Sequence, residues 1–277
     1  MFGTDTRDAE LAVKAARRRG LPVPPEVDAA ADMYEVIVNA GHEPAPERPT
    51  VTDMPSTPEE LRQLIEDQAA AKRRAESIRA VASDYRQPLT TAYNQAVRSV
   101  VDGWIVSLQP EFNNLVKALT QQAKKLPQDL RVSALDWNDP KISAAWEKAE
   151  SAAHQLDQLV RDRQDMARVA GHDGGKDNQL YAVAKLPEPT RDAVLDNQLR
   201  DGIGPDLRIW RDLKSQPVSR WLHLARSEHV TLLLATPGEV QDRAAAMQRW
   251  YDAVAAKGEA HTRRAAEAAV DQVLRAA

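Results

Sequence analysis

Three features of this sequence predict an all-α fold: an elongated helical bundle with long, coiled-coil-like helices and an acidic, proline-rich amino-terminal arm. Alanine, the strongest helix former, supplies 45 of 277 residues and glycine only 11. Apolar residues recur at helical spacing over stretches of about 30 residues and more. Two helix starts carry complete capping boxes, Thr57-Pro58-Glu59-Glu60 and Thr236-Pro237-Gly238-Glu239.

Taken in order, Thr6 to Arg19 places Ala9, Leu11, Ala12, Ala15 and Ala16 on one side of a short helix, and Gly20 stands where a C-terminal cap belongs. Pro22, Pro24 and Pro25 then separate it from a second periodic stretch, Val27, Ala30, Ala31, Tyr34 and Val38, ending at Gly41. Prolines at 44, 46, 49, 55 and 58 predict an extended, solvated segment over 42–56. Residues 21–60 hold nine acids against Arg48 alone, a net charge of -8. We therefore expect two regions. Residues 1–56 form short helices and a docking arm, and 57–277 form a helical body that folds without them.

Within the body, long helices are expected near 58–126, 140–170 and 237–275. From Leu61 as position a, the a series runs Leu61, Gln68, Ala75, Ala82, Leu89, Ala96 and the d series Leu64, Ala71, Ile78, Tyr85, Ala92. The pattern slips near Tyr93 and continues through Val97, Val100, Trp104, Leu108, Leu115, Leu119 and Leu126. Pro88 and Pro110 are expected to kink or divide this element. Such a rod needs its seam covered, by the helix from Pro140, by the one from Pro237 or by a second copy. Asp139-Pro140 starts the next helix, and Val230 to Leu234 is taken as a buried helix end, since one strand alone builds no sheet. Gly258 is a point of interruption in the last helix.

Composition excludes several chemistries. With no cysteine there are no disulfides, thiolate metal sites or cysteine nucleophiles. Ala170 to Asp177 approaches a phosphate-binding loop at Gly175-Lys176, but alanine replaces its first glycine and aspartate its Ser or Thr. His223 and His229, six residues apart, fall on opposite sides of a helix and cannot share a metal. Neither HExxH nor GxSxG occurs. No catalytic residue, cofactor or metal site is assigned. The apolar run Val230 to Ala235 is far short of the roughly 20 residues that span a bilayer. No membrane association is expected, and the cytoplasm, or a virion, is the expected location.

Lys72, Arg79 and Arg86 repeat every seven residues and make one basic stripe beside the seam. That stripe could track phosphates, or it could flank a helix pair, the usual role of such positions. Of six tryptophans, Trp104, Trp146, Trp221 and Trp250 lie on apolar helix faces, whereas Trp137 and Trp210 lie in shorter, more polar segments and are candidate anchors for a partner. The leading expectation is a non-enzymatic interaction or structural protein that self-associates or binds another protein. A bacterial or phage assembly factor fits such a composition, with arginine exceeding lysine 26 to 11. The alternatives are a nucleic-acid-associated regulator and, after it, an enzyme or inhibitor with a site across the bundle.

Overall fold

The computed structural model describes residues 5–47, 50, 54–171 and 178–276. Ten α-helices dominate them: α1 (Arg7–Arg18), α2 (Pro25–Gly41), α3 (Pro58–Ala123), α4 (Pro140–Ala167), α5 (Asn178–Tyr181), α6 (Arg191–Leu195), α7 (Gly204–Asp212), α8 (Pro217–Arg226), α9 (Pro237–Glu259) and α10 (Arg263–Ala276). Two-residue strands β1 (Ala184–Lys185) and β2 (Thr231–Leu232) pair antiparallel.

The axis of the molecule is α3, 66 residues long and so about 99 Å from end to end. Its start is fixed by Thr57, which accepts a hydrogen bond from the Glu60 amide, and by the Glu60 carboxylate, which accepts from the Thr57 amide. Pro88 and Pro110 lie inside it without dividing it, contrary to the break expected there. Both sit on the exposed side, where a lost amide donor leaves a carbonyl that water can satisfy.

The carboxy-terminal half of α3 carries the core. Val97, Val101, Trp104, Ile105, Leu108, Phe112 and Leu119 are buried among α1, α4 and α8. Trp221 joins them, with its ring edge-to-face to Phe112 at 6.3 Å and to Trp210 at 5.3 Å. On α4, whose N-cap Asp139 accepts from the Lys141 amide at 2.8 Å, the alanines at 145, 149, 152 and 153 let helices approach closely.

The boundary expected at residue 57 does not separate an arm from a core. Ala9, Ala12, Ala15 and Ala16 of α1 are fully buried, mainly against α4, and Val27 and Ala30 of α2 are buried in the same cluster. Arg18 and Arg19 both donate to the buried carboxylate of Asp162. Sequence periodicity showed that α1 and α2 have apolar sides, but their partners lie far along the chain, as Tyr34 on Tyr93 and Arg18 on Asp162 show. Asp162→Ala would remove the carboxylate shared by two cationic side chains, leaving Arg18 to Asp165 and Arg19 to Glu111. Because both arginines keep some solvent contact, the loss expected in chemical denaturation is about 2 kcal/mol, below the range for a wholly buried pair.

Two further expectations are corrected. Val230 to Leu234 is no helix end. Its residues 231–232 pair with 184–185, and the amides of Leu233 and Ala235 donate to the carbonyls of Val183 and Ala182, both at 2.9 Å. Buried arginines satisfy the remaining carbonyls of this ribbon: Arg243 donates to Tyr181 and Leu233 at 2.7 and 2.9 Å, and Arg163 to Ala235 at 3.0 Å. The expected 237–275 helix is in fact two, α9 and α10, which break at 260–262 and pack against each other. The break lies just past Gly258, and the turn lets the apolar rows of α9 and α10 cover one another.

Candidate interaction surface

Beyond the body, and among the described residues, the amino-terminal half of α3 is accompanied by α2 and the segment that follows it. The Trp104 indole donates to Pro22 O at 2.9 Å, Tyr34 stacks on Tyr93 with centroids 6.4 Å apart, and Arg79 donates to Glu43 O at 2.8 Å. These contacts run in opposite directions along the two chains, so α2 is antiparallel to α3. Gln68 donates to Glu47 O at 3.2 Å, which carries the extended segment further toward the tip. Burial at this root raises the Tyr93 phenol above its ordinary range.

The seam is therefore covered from within the chain, but by α2 and its extension rather than by the helices from Pro140 or Pro237. Ala75 and Ala82 are buried beneath this cover. One companion covers one flank, so much of the d series stays in water: Ala71, Tyr85 and Ala92 are exposed. Residues 43–47, 50 and 54–57 are free of helix, as expected, while 48–49 and 51–53 of that segment lie outside the described residues.

The uncovered side of α3 has a distinct chemistry. Advancing about 100° per residue from Tyr85, the positions Ile78, Val81, Pro88, Leu89, Ala92, Ala96, Ser99, Gly103, Val106 and Pro110 all fall within about 60° of it. None of them is buried. The charged residues of the same stretch, Arg79, Asp84, Arg86, Arg98 and Asp102, all lie about 100° or more from Tyr85, and the stripe ends short of Arg74, about 20° from it. The Ser99 hydroxyl donates to Ala96 O at 2.7 Å, so it adds little polarity to the stripe. Since α2 turns Ala30, Tyr34 and Ile37 toward α3, helical geometry turns Met33, Val36 and Ala40 to the same side as Tyr85. Met33, Val36, Val81, Tyr85 and Val106 are each at least 50% exposed. This uncharged apolar face is the candidate interaction surface of the chain.

The residues singled out by sequence fall elsewhere. Arg79 and Arg86 flank a groove of about 290 Å³ with His42, on the side of α3 turned away from the stripe, and Lys72 lies 4.0 Å from Glu76 two turns nearer the tip. Trp137 is 45% exposed and packs edge-to-face on Trp146 at 5.8 Å. Trp210 is 7% exposed, sandwiched between Trp221 and the Arg220 guanidinium 4.0 Å above its ring, so its surface is spent within the chain. The loop from His172 to Asp177, which contains most of the near phosphate-binding pattern, lies outside the described residues.

A further polar cluster joins Asp206, His223 and Ser227. His223 Nε2 is 2.8 Å from Asp206 Oδ1, and the Ser227 hydroxyl donates to the other carboxylate oxygen. The serine thus faces the carboxylate and not the imidazole, an arrangement that ties α7 to the end of α8. His229 lies apart from His223, its ring against Gly202, where an added Cβ would stand 2.6 Å from Nε2. Among the described residues no helix is long and apolar enough to cross a membrane. Comparison of the chain with family models, with curated proteins and with solved structures found no match.

Proposed function

We propose that this is a non-enzymatic helical interaction or assembly protein that works through the outer face of α3 and the adjoining row of α2. The observation that carries the reading is the uncharged stripe from Ile78 to Pro110, flanked by exposed Met33 and Val36. Leaving that surface in water loses the roughly 25 cal/mol per Å² that burial returns, and covering it with a second helical surface recovers this. The cysteine-free, alanine- and arginine-rich composition supports a cytoplasmic role in a bacterium or its phage.

A photoreactive residue placed at Val81 or Val106 is expected to cross-link the protein to a protein partner in cells, and one at Glu150 on α4 is not. Equal labelling from all three positions, or none from Val81 and Val106, would contradict the reading. The Arg79–Arg86 groove favours nucleic acid as a second reading. On that reading, affinity for duplex or single-stranded DNA falls steeply as salt rises and is lowered by Arg86→Ala.

A further inference from the structure

The stripe on α3 has an internal order that selects its partner. Count outward from Ala92 in both directions. Val81 lies as far from it as Gly103, Tyr85 as far as Ser99, and Ile78 as far as Val106. Val81 and Tyr85 on the tip side are thus matched by glycine and serine on the body side, while Ile78 is matched by Val106. The ends follow the same rule with charge: Asp67 is matched by Lys117 and Glu60 by Lys124, and all four project within about 60° of the Tyr85 direction. Because α2 runs antiparallel to α3, Tyr34 stacked on Tyr93 brings Ala92 level with Glu35 of α2, between Met33 and Val36.

We infer that the partner is a second copy of this chain, with the two α3 helices antiparallel and a two-fold axis at Ala92. This rests on the reading of the outer α3 face as a docking surface and adds its occupant and register. In that arrangement Val81 sits over Gly103 of the other copy, Tyr85 over Ser99, and Asp67 beside Lys117. Met33 and Val36 lie on either side of the axis and meet the same two residues of the other copy. Arg74 comes opposite Pro110, where its long side chain reaches solvent. The bodies lie toward opposite ends of the pair, so they do not collide.

Two observations support a second copy over an unrelated protein. Gly103 sits in the interior of a helix, where glycine is unfavourable relative to alanine, and within its own chain nothing lies within 4 Å of the place a Cβ would occupy. A side chain from a closely approaching helix gives that glycine a reason. The area is also sufficient: the stripe is about 50 Å long and about 10 Å wide. With the α2 row it buries about 700 Å² per copy, or about 1,400 Å² in total, within the range of stable specific interfaces. Isologous two-fold pairing requires a self-complementary patch, which the matched positions supply.

The test is light scattering with sedimentation equilibrium on the full chain. The unaltered protein is expected to be a dimer at micromolar concentration. Asp67→Lys and Lys117→Asp should each weaken association by about tenfold at low salt, and the two together should restore it. Gly103→Leu, which touches nothing in the monomer, should give a monomer whose dilute thermal midpoint is undiminished. A monomeric unaltered protein would overturn the inference, as would a dimer that survives both Gly103→Leu and Tyr85→Glu. If that monomer still cross-links a different protein from Val81, self-pairing fails and the docking reading stands; if it cross-links nothing, both fail.

Discussion

Deleting residues 1–41 is expected to abolish the cooperative thermal transition of the remaining chain. The sequence alone suggests the opposite for residues 1–56, because the net charge of -8 over 21–60 reads as a solvated arm and the body from Leu61 has capped helices of its own. In the fold, the alanines of residues 1–41 do what larger residues cannot. Four alanine side chains of α1 are fully buried, and their small size lets α1 lie close against α4, so removal uncovers a broad strip of α4 and α3. Deletion also strips the Trp104 indole of the Pro22 carbonyl and leaves the Asp162 carboxylate, 1% exposed, without Arg18 and Arg19. Removing α1 also opens that carboxylate to water, so the lost ion pairs add only about 1 kcal/mol. Together with the lost apolar burial, this approaches the about 5–15 kcal/mol that holds a typical domain. A deletion variant that keeps a sharp transition near the original midpoint would show the body to be independent.

Trp221→Ala should be the most damaging single substitution. Trp221 is fully buried, meets Phe112 and Trp210 edge-to-face, and donates from Nε1 to Asp157 at 2.7 Å. Asp157 also accepts from Arg220, whose guanidinium covers Trp210. The substitution opens a cavity at the junction of α3, α7 and α8 and removes one of the two donors that hold Asp157. The expected loss is about 3–5 kcal/mol, or about 10 °C in Tm for a chain of this size. Trp221→Phe keeps most of the volume and loses the hydrogen bond, so its cost should be about half as large. A Trp221→Ala variant within about 1 kcal/mol of the unaltered protein, a surface-like effect, would mean that this junction is not part of the core.

How much of this was legible in the sequence depended on the range of the signal. Capping boxes at Thr57 and Thr236 and the Asp139 cap are local, and α3, α4 and α9 begin where they say. Tryptophans 104, 221 and 250 on apolar faces are core residues for the same local reason. The β1–β2 pair could not be read, because each strand is two residues long and gains its identity from a partner some 47 residues away. Splitting α9 from α10 depended on their packing against each other, not on the residues at the break. The candidate surface was half visible. Heptad counting found the row that α2 covers, at Ala75 and Ala82. It assigned Tyr85 and Ala92 to the same seam, although they turn toward the uncovered flank. Attention to where charge is missing, in place of where apolar residues recur, would have isolated the stripe, since no charged residue between Ile78 and Pro110 falls on it. Trp210 was misplaced because its neighbours in sequence are polar and its neighbours in space, Trp221 and Arg220, are not adjacent to it in the chain.

The most direct measurement of the central claim, that the outer face of α3 is where this protein is joined to another, is the distance between spin labels on single introduced cysteines in the otherwise cysteine-free chain. Labels at position 92 should give the shortest interchain distance. Because each residue moved along an antiparallel pair shifts both labels by about 1.5 Å in opposite directions, the separation should grow by about 3 Å per residue. Labels at 85 and 99 should then give nearly equal distances, as should labels at 81 and 103. A minimum at another position, a separation that does not change along the helix, or no interchain coupling from any of these sites would contradict the account.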